Sequence, residues 1–209
     1  MNPLVKICGL AREEDVRLTM DVRPDALGFI FWPRSPRAVR PEEVGSWTSG
    51  GLGEGARKVG VFVNPELQEV LDAIEAAGLD VVQLHGNEGE DLIRAIPVPV
   101  WKALHVDRLP PNWEALPVEA VLLDSGTVEM PGGTGHMVDM ERARDFVSKS
   151  PLPVWLAGGL NAVNVTSALK TVGPIGVDVV SGTESAPGVK NPEAVRSFVQ
   201  AVREFDPNS

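Results

Sequence analysis

Cysteine is almost absent: the chain has one, Cys8, in 209 residues. An internal disulfide is therefore excluded, and a reducing compartment is expected. Positive charge is also short, with 19 Lys and Arg against 29 Asp and Glu and a net charge of -10. That balance excludes a protein that tracks a nucleic-acid backbone, which needs a basic surface. No apolar run reaches the ~18 residues of a membrane span. The N-terminal Met1–Lys6 has no basic stretch leading into a long hydrophobic one, so neither secretion nor a membrane partner is expected, and a cytoplasmic location is. Histidine is limited to His85, His105 and His136, which argues against a His/Asp cluster converging on a metal ion.

What is present is an ordinary globular composition, 43% hydrophobic and 23% charged, in a length that suits one domain over residues 1–209. Glycine and proline fall between segments, and no linker divides the chain. Short apolar runs alternate with amphipathic ones. The strand candidates are Leu4–Cys8, Ala26–Phe31, Lys58–Val63, Val81–His85, Val100–Leu104, Ala120–Asp124, Val154–Ala157 and Gly176–Val180. Helical patterns follow them at Arg12–Leu18, from Pro41, at Pro65–Ala77 (capped by Asn64 and ended by Gly78), Glu88–Ala95, Met140–Ser148, Ala162–Leu169 and Pro192–Glu204, with a short helix at Asn112–Leu116. Strict βα alternation demands parallel strands covered by helices. A count of eight favours closure into a compact single (β/α)8 TIM barrel over an open doubly wound sheet.

Several strand positions carry polar residues where a barrel interior should be apolar. Lys6 and Cys8 share one face of the first strand, and Gln83 and His85 share one face of the fourth. Asp124 ends the sixth strand, and Asp178 sits inside the eighth. A buried Lys6 needs a partner. Closure sets the eighth strand beside the first, so a Lys6–Asp178 ion pair is expected. Cys8, His85 and Asp124 all fall at C-terminal strand ends, where enzymes of this fold keep their chemistry.

Each candidate has a plainer role beside the functional one. A lone intracellular cysteine is more often an inert, buried small hydrophobe, but a thiolate beside an ammonium, which lowers its pKa, is a competent base. His85 suits a core histidine bonded to a carbonyl about as well as a site residue. Asp124 suits a turn cap over Ser125-Gly126, or a carboxylic acid that keeps its proton in a closed mouth. Arg37, in Arg34-Ser35-Pro36-Arg37, suits a solvated loop or a bidentate grip on a carboxylate. Gly158-Gly159 and Ser181-Gly182 follow the last two strands, where such barrels often hold phosphate on backbone N–H groups. Gly132, Gly133 and Gly135 suit a lid over the mouth or a surface loop.

In order along the chain, Lys6-Ile7-Cys8-Gly9, Gly28-Phe29-Ile30-Phe31 with Ser35-Pro36-Arg37, Val59–Asn64, Gln83-Leu84-His85-Gly86, Leu122-Leu123-Asp124, Gly132-Gly133-Thr134-Gly135, Ala157-Gly158-Gly159-Leu160 with Asn164-Val165, and Gly176-Val177-Asp178-Val179 with Ser181-Gly182 resemble the phosphoribosylanthranilate isomerase family. The resemblance spans nearly the whole chain. It implies a (β/α)8 enzyme of tryptophan biosynthesis that works without metal or organic cofactor on a small phosphorylated substrate, as a monomer or homodimer. By position it makes Cys8 the general base and Asp124 the general acid. Arg37 is then the anthranilate-carboxylate ligand, the Gly158-Gly159 and Ser181-Gly182 loops the phosphate site, and His85 a further substrate contact. Lys6, Gln83 and Asp178 stand behind these residues. The chain departs from the family pattern at His136-Met137-Val138-Asp139-Met140, where aromatic residues flank the aspartate, at Val180-Ser181, where a second serine is usual, and at Asn191, where aspartate is common. Two other functions remain in view. A histidine-pathway aldose–ketose isomerase would carry an aspartate where this chain has Cys8. A non-catalytic phospho-ligand-binding barrel would lack the acid or the base.

Overall fold

The computed structural model describes residues 2–50, 55–124 and 139–206. Eight parallel strands close into a barrel: β1 (Leu4–Ile7), β2 (Ala26–Ile30), β3 (Arg57–Phe62), β4 (Val81–Leu84), β5 (Val100–His105), β6 (Ala120–Asp124), β7 (Val154–Leu156) and β8 (Gly176–Val179), with β8 hydrogen-bonded back to β1. The helices are α1 (Glu13–Asp21), α2 (Pro41–Trp47), α3 (Leu67–Ala77), α4 (Glu90–Ala95), α5 (Met140–Lys149), α6 (Val165–Val172) and α7 (Pro192–Arg203). None of the described helices is long and apolar enough to cross a membrane.

The period-2 alternation of each strand sorts the core into two layers. Val5, Ile7, Leu27, Phe29, Val82, Leu84, Val121, Leu123, Val177 and Val179 face outward and pack beneath the helices. Ala26, Val59, Val81, Trp101, Ala103, Ala120, Leu122, Trp155 and Ala157 fill the barrel itself. Two indoles fit there because their neighbours are small: the Trp101 and Trp155 rings lie 4.8 Å apart, and a Cβ on Gly176 would come within 2.7 Å of Trp155.

Lys6 and Asp178 are register partners across β1 and β8, and their side chains form the expected ion pair at 2.9 Å, at 0% and 5% exposure. Removing one partner of such a pair strands a buried charge at about 3–5 kcal/mol. Lys6→Met is expected to lower the unfolding free energy by that order in chemical denaturation. Lys6→Met combined with Asp178→Leu should recover most of it; a single variant as stable as the wild type would mean that the pair contributes nothing.

The short helix expected at Asn112–Leu116 is present as a 3-10 turn, Trp113–Ala115, because Pro111 and Pro117 leave too few residues between them for an α-helix. Elsewhere the structure departs from the sequence-based expectation. Helix α6 begins at Val165 rather than Ala162. Asn161 and Asn164 exchange side-chain bonds with each other's backbone N–H groups (2.8 and 3.2 Å), and this turn replaces the first helical one. Asn64 does not cap α3: it has φ 48°, its side chain accepts from Asn87 N at 2.7 Å, and Glu66 is the N-cap. After β8 the chain adds an unexpected hairpin, β9 (Glu184–Ala186) and β10 (Val189–Lys190), turning at Pro187-Gly188. Asn191, next in sequence, caps α7 by accepting from Glu193 N and Ala194 N, a task aspartate performs equally well.

Candidate active site

All eight C-terminal strand ends open on one mouth. There a cavity of about 410 Å³ is lined by Cys8, Arg37, Gln83, His85, Asp124, Gly158, Gly159, Asp178 and Ser181, together with an apolar wall of Ile30, Trp32, Val61 and Val63. Its size is ordinary for a site that encloses a small ligand. Lys6 lies beneath it, and Gly182 beside it.

Cys8 directly follows β1. Its N–H continues the β1–β8 ladder by donating to Val179 O at 2.9 Å. Its side chain has room because β2 carries Gly28: a Cβ there would lie 2.4 Å from Cys8 Sγ. The thiol is 3% exposed. Burial pushes its pKa above the ordinary thiol value, Lys6 pulls it back, and Asp178 adds to the rise. The expected lowering by the ammonium is therefore present but outweighed. Lys6 itself is disfavoured as a cation by burial, yet Asp178 and Cys8 together hold its pKa above the ordinary lysine value.

Asp124 closes β6, and its Oδ2 lies 3.1 Å from His85 Nε2. His85 Nδ1 in turn lies 3.3 Å from the Gln83 side-chain amide, whose Oε1 is buried without a partner among the described residues. Gln83, His85 and Asp124 thus form one polar chain from the barrel interior to the cavity.

Arg37 is not the free loop cation its sequence setting suggests. It is 11% exposed, and its Nε and Nη2 grip both carboxylate oxygens of Glu184 at 2.8 and 2.7 Å. That bidentate bond holds its pKa above the usual arginine value. Glu184 and its neighbour Lys190 belong to the β9–β10 hairpin and are not apparent as site residues in the sequence. The Pro187-Gly188 pair between two short runs was the one local sign of the hairpin.

Past β7, Gly158 and Gly159 both line the cavity and adopt φ of 90° and 64°, a left-handed stretch in which residues with side chains would be strained. The β8 loop closes on it: a Cβ at Gly182 would lie 1.9 Å from Leu160 O, so that glycine lets the two loops touch while Ser181 lines the cavity. Gly132, Gly133 and Gly135 lie outside the described residues.

A thiol and a carboxyl group across one enclosed mouth, with a guanidinium and two glycine-bearing late loops around them, define a (β/α)8 acid–base enzyme for a small anionic substrate. The family model described as N-(5'phosphoribosyl)anthranilate (PRA) isomerase matches residues 5–201. The chain belongs to that family, and it is an isomerase of tryptophan biosynthesis that catalyses an aldose–ketose rearrangement. A relative from Nitrosomonas europaea named N-(5'-phosphoribosyl)anthranilate isomerase is 38% identical over 207 residues, covering 97% of this chain and 96% of the relative. The phosphoribosyl anthranilate isomerase of Thermus thermophilus superposes with a TM-score of 0.87 at 34% identity, covering 97% of this chain and 100% of that one. A further structure, of a phosphoribosyl anthranilate isomerase in complex with reduced 1-(o-carboxyphenylamino)-1-deoxyribulose 5-phosphate, superposes with a TM-score of 0.81 at 31% identity, covering 96% and 98% of the two chains.

Proposed function

We propose that the chain, acting as one domain, binds N-(5'-phosphoribosyl)anthranilate in this cavity and rearranges it to 1-(2-carboxyphenylamino)-1-deoxyribulose 5-phosphate, with Asp124 as general acid and Cys8 as general base. The observation that supports these roles is that both groups, from strands not adjacent in the barrel, line the same cavity. Asp124 donates its proton to the furanose ring oxygen, the C–O bond to the anomeric carbon breaks, and an iminium forms. Cys8 as thiolate then removes the proton from sugar C2. The resulting enolamine becomes the ketone by proton movement from O2 to C1, so no oxidant or reductant enters. Each proton transfer is worth ~10²–10⁴-fold when the group is within hydrogen-bond reach.

The Gln83–His85 pair supports the carboxylate that Asp124 becomes once its proton has left: the Gln83 amide N–H faces His85 Nδ1, so that nitrogen accepts, and the Nε2–H of the same ring donates to Asp124 Oδ2. Arg37 takes the anthranilate carboxylate, Trp32 and the apolar wall flank the ring, and the Gly158-Gly159 and Ser181-Gly182 loops hold the phosphate at the far end. Gripping both ends orients the sugar between acid and base, which is worth several kcal/mol. A thiol base must stay reduced, which supports a cytoplasmic location.

A fluorescence assay of phosphoribosylanthranilate consumption, run without added metal, tests the whole scheme; absence of turnover by the purified protein would overturn it. Within it, Arg37→Ala is expected to raise KM by ~10-fold or more, the worth of a charge-assisted hydrogen bond to a carboxylate, with a smaller change in kcat. An unchanged KM would mean that the carboxylate is held elsewhere.

A further inference from the structure

We propose that Glu184 is a positioning residue that makes this site selective for a carboxylate on the substrate ring. It does so by fixing which edge of Arg37 faces the cavity. A guanidinium has five N–H donors in one plane. Glu184 takes the Nε edge, at 2.8 and 2.7 Å, and is itself held by Gly188 N at 3.2 Å. The aliphatic part of Arg37 lies across the β1 turn, where a Cβ on Gly9 would meet Arg37 Cδ at 2.8 Å. Stem and head are therefore both clamped. The edge left for a ligand is the Nη1–Nη2 fork, whose two parallel N–H bonds match a second carboxylate.

Charge balance supports the same assignment. An Arg37–Glu184 pair alone is neutral and would attract a substrate anion weakly. Lys190 changes that: its Nζ stands 3.6 Å from Glu184 Oε1, and although burial pushes its pKa below the ordinary lysine value, Glu184 pulls it back, so a second cation faces the one carboxylate. Lys190 does not bind the ligand directly. Its three N–H bonds go to Cys8 O at 2.7 Å, Val180 O at 3.0 Å and Thr183 Oγ1 at 3.1 Å. It acts through its charge, and it ties the hairpin that carries Glu184 to the strand end that carries Cys8. The β9–β10 hairpin is thus a brace that sets the carboxylate-binding edge of Arg37 against the base.

This inference rests on the proposed contact between Arg37 and the anthranilate carboxylate. The experiment compares two substrates, phosphoribosylanthranilate and the phosphoribosyl derivative of aniline, which lacks the carboxylate, in wild type, Arg37→Ala, Glu184→Gln and Glu184→Ala. KM does not depend on the fraction of enzyme that is folded, so the ratio of KM values for the two substrates survives partial misfolding. Glu184→Gln and Glu184→Ala should raise KM for the anthranilate substrate by ~10-fold and leave KM for the aniline substrate near wild type, with kcat changing less than KM. If Arg37→Ala removes the preference for the carboxylate and the Glu184 variants do not, Glu184 has no positioning role and the inference falls alone. If Arg37→Ala leaves the preference intact, the contact beneath it falls as well.

Discussion

Asp124→Asn will abolish turnover while the protein still binds a reduced product analogue. Asn has nearly the shape of Asp and retains a group able to bond His85 Nε2, now 3.1 Å from Asp124 Oδ2, so the polar chain through Gln83 persists. What it lacks is a proton that can leave near neutral pH. Opening the furanose expels an alkoxide unless that oxygen is protonated, and nothing downstream proceeds while the ring is closed. The loss should therefore reach at least the ~10²–10⁴-fold attributed to a general acid. Arg37, the glycine loops and the apolar wall remain as they are, so affinity for the analogue by titration calorimetry should stay within a few-fold. Two results would remove Asp124 from its role: substantial kcat in Asp124→Asn, or loss of binding in step with loss of rate.

The parts of the molecule that follow from local pattern and closure were legible in the sequence; those that depend on long-range contacts were not. Strand alternation placed Lys6 inward, Asp178 sat at an inward position of the last strand, and barrel closure made them neighbours; the 2.9 Å pair is the outcome. The eight strands were read to within a residue at most ends, because apolar runs bounded by turn residues are a strong signal. Arg37 is the counter-example. Its partner Glu184 lies 147 positions away, on a hairpin whose strands are too short to show a period of two, so a bound guanidinium looked like a free one. The sign of the Cys8 shift was missed for a related reason. The neighbouring Lys6 is visible in sequence, but the degree of burial, which depends on Gly28 and the closed mouth, is not.

Cys8→Ser should cut kcat by ~10²–10⁴-fold and leave KM within a few-fold. Serine fits the space that Gly28 leaves, and it accepts and donates as a thiol does, but its hydroxyl does not ionise near neutral pH and is a far poorer base. The pH behaviour adds an independent check. An ordinary carboxyl and an ordinary thiol ionise near ~3.9 and ~8.5, and burial moves the Cys8 thiol further up. The productive form, thiolate with protonated Asp124, carries the same number of protons as its tautomer, thiol with carboxylate. Between the two macroscopic ionisations pH therefore does not change their ratio, and kcat/KM should be flat. Above the upper one the last proton leaves the pair, the acid has nothing to donate, and the rate falls. Because the thiol is raised, that fall should begin above the ~8.5 of a free cysteine. Cys8 is the chain's one cysteine, so ultraviolet titration of thiolate reads it without interference. A midpoint below ~8.5 would show that Lys6, not burial, dominates the thiol, and a midpoint that persists in Cys8→Ser would show that some other group was being titrated.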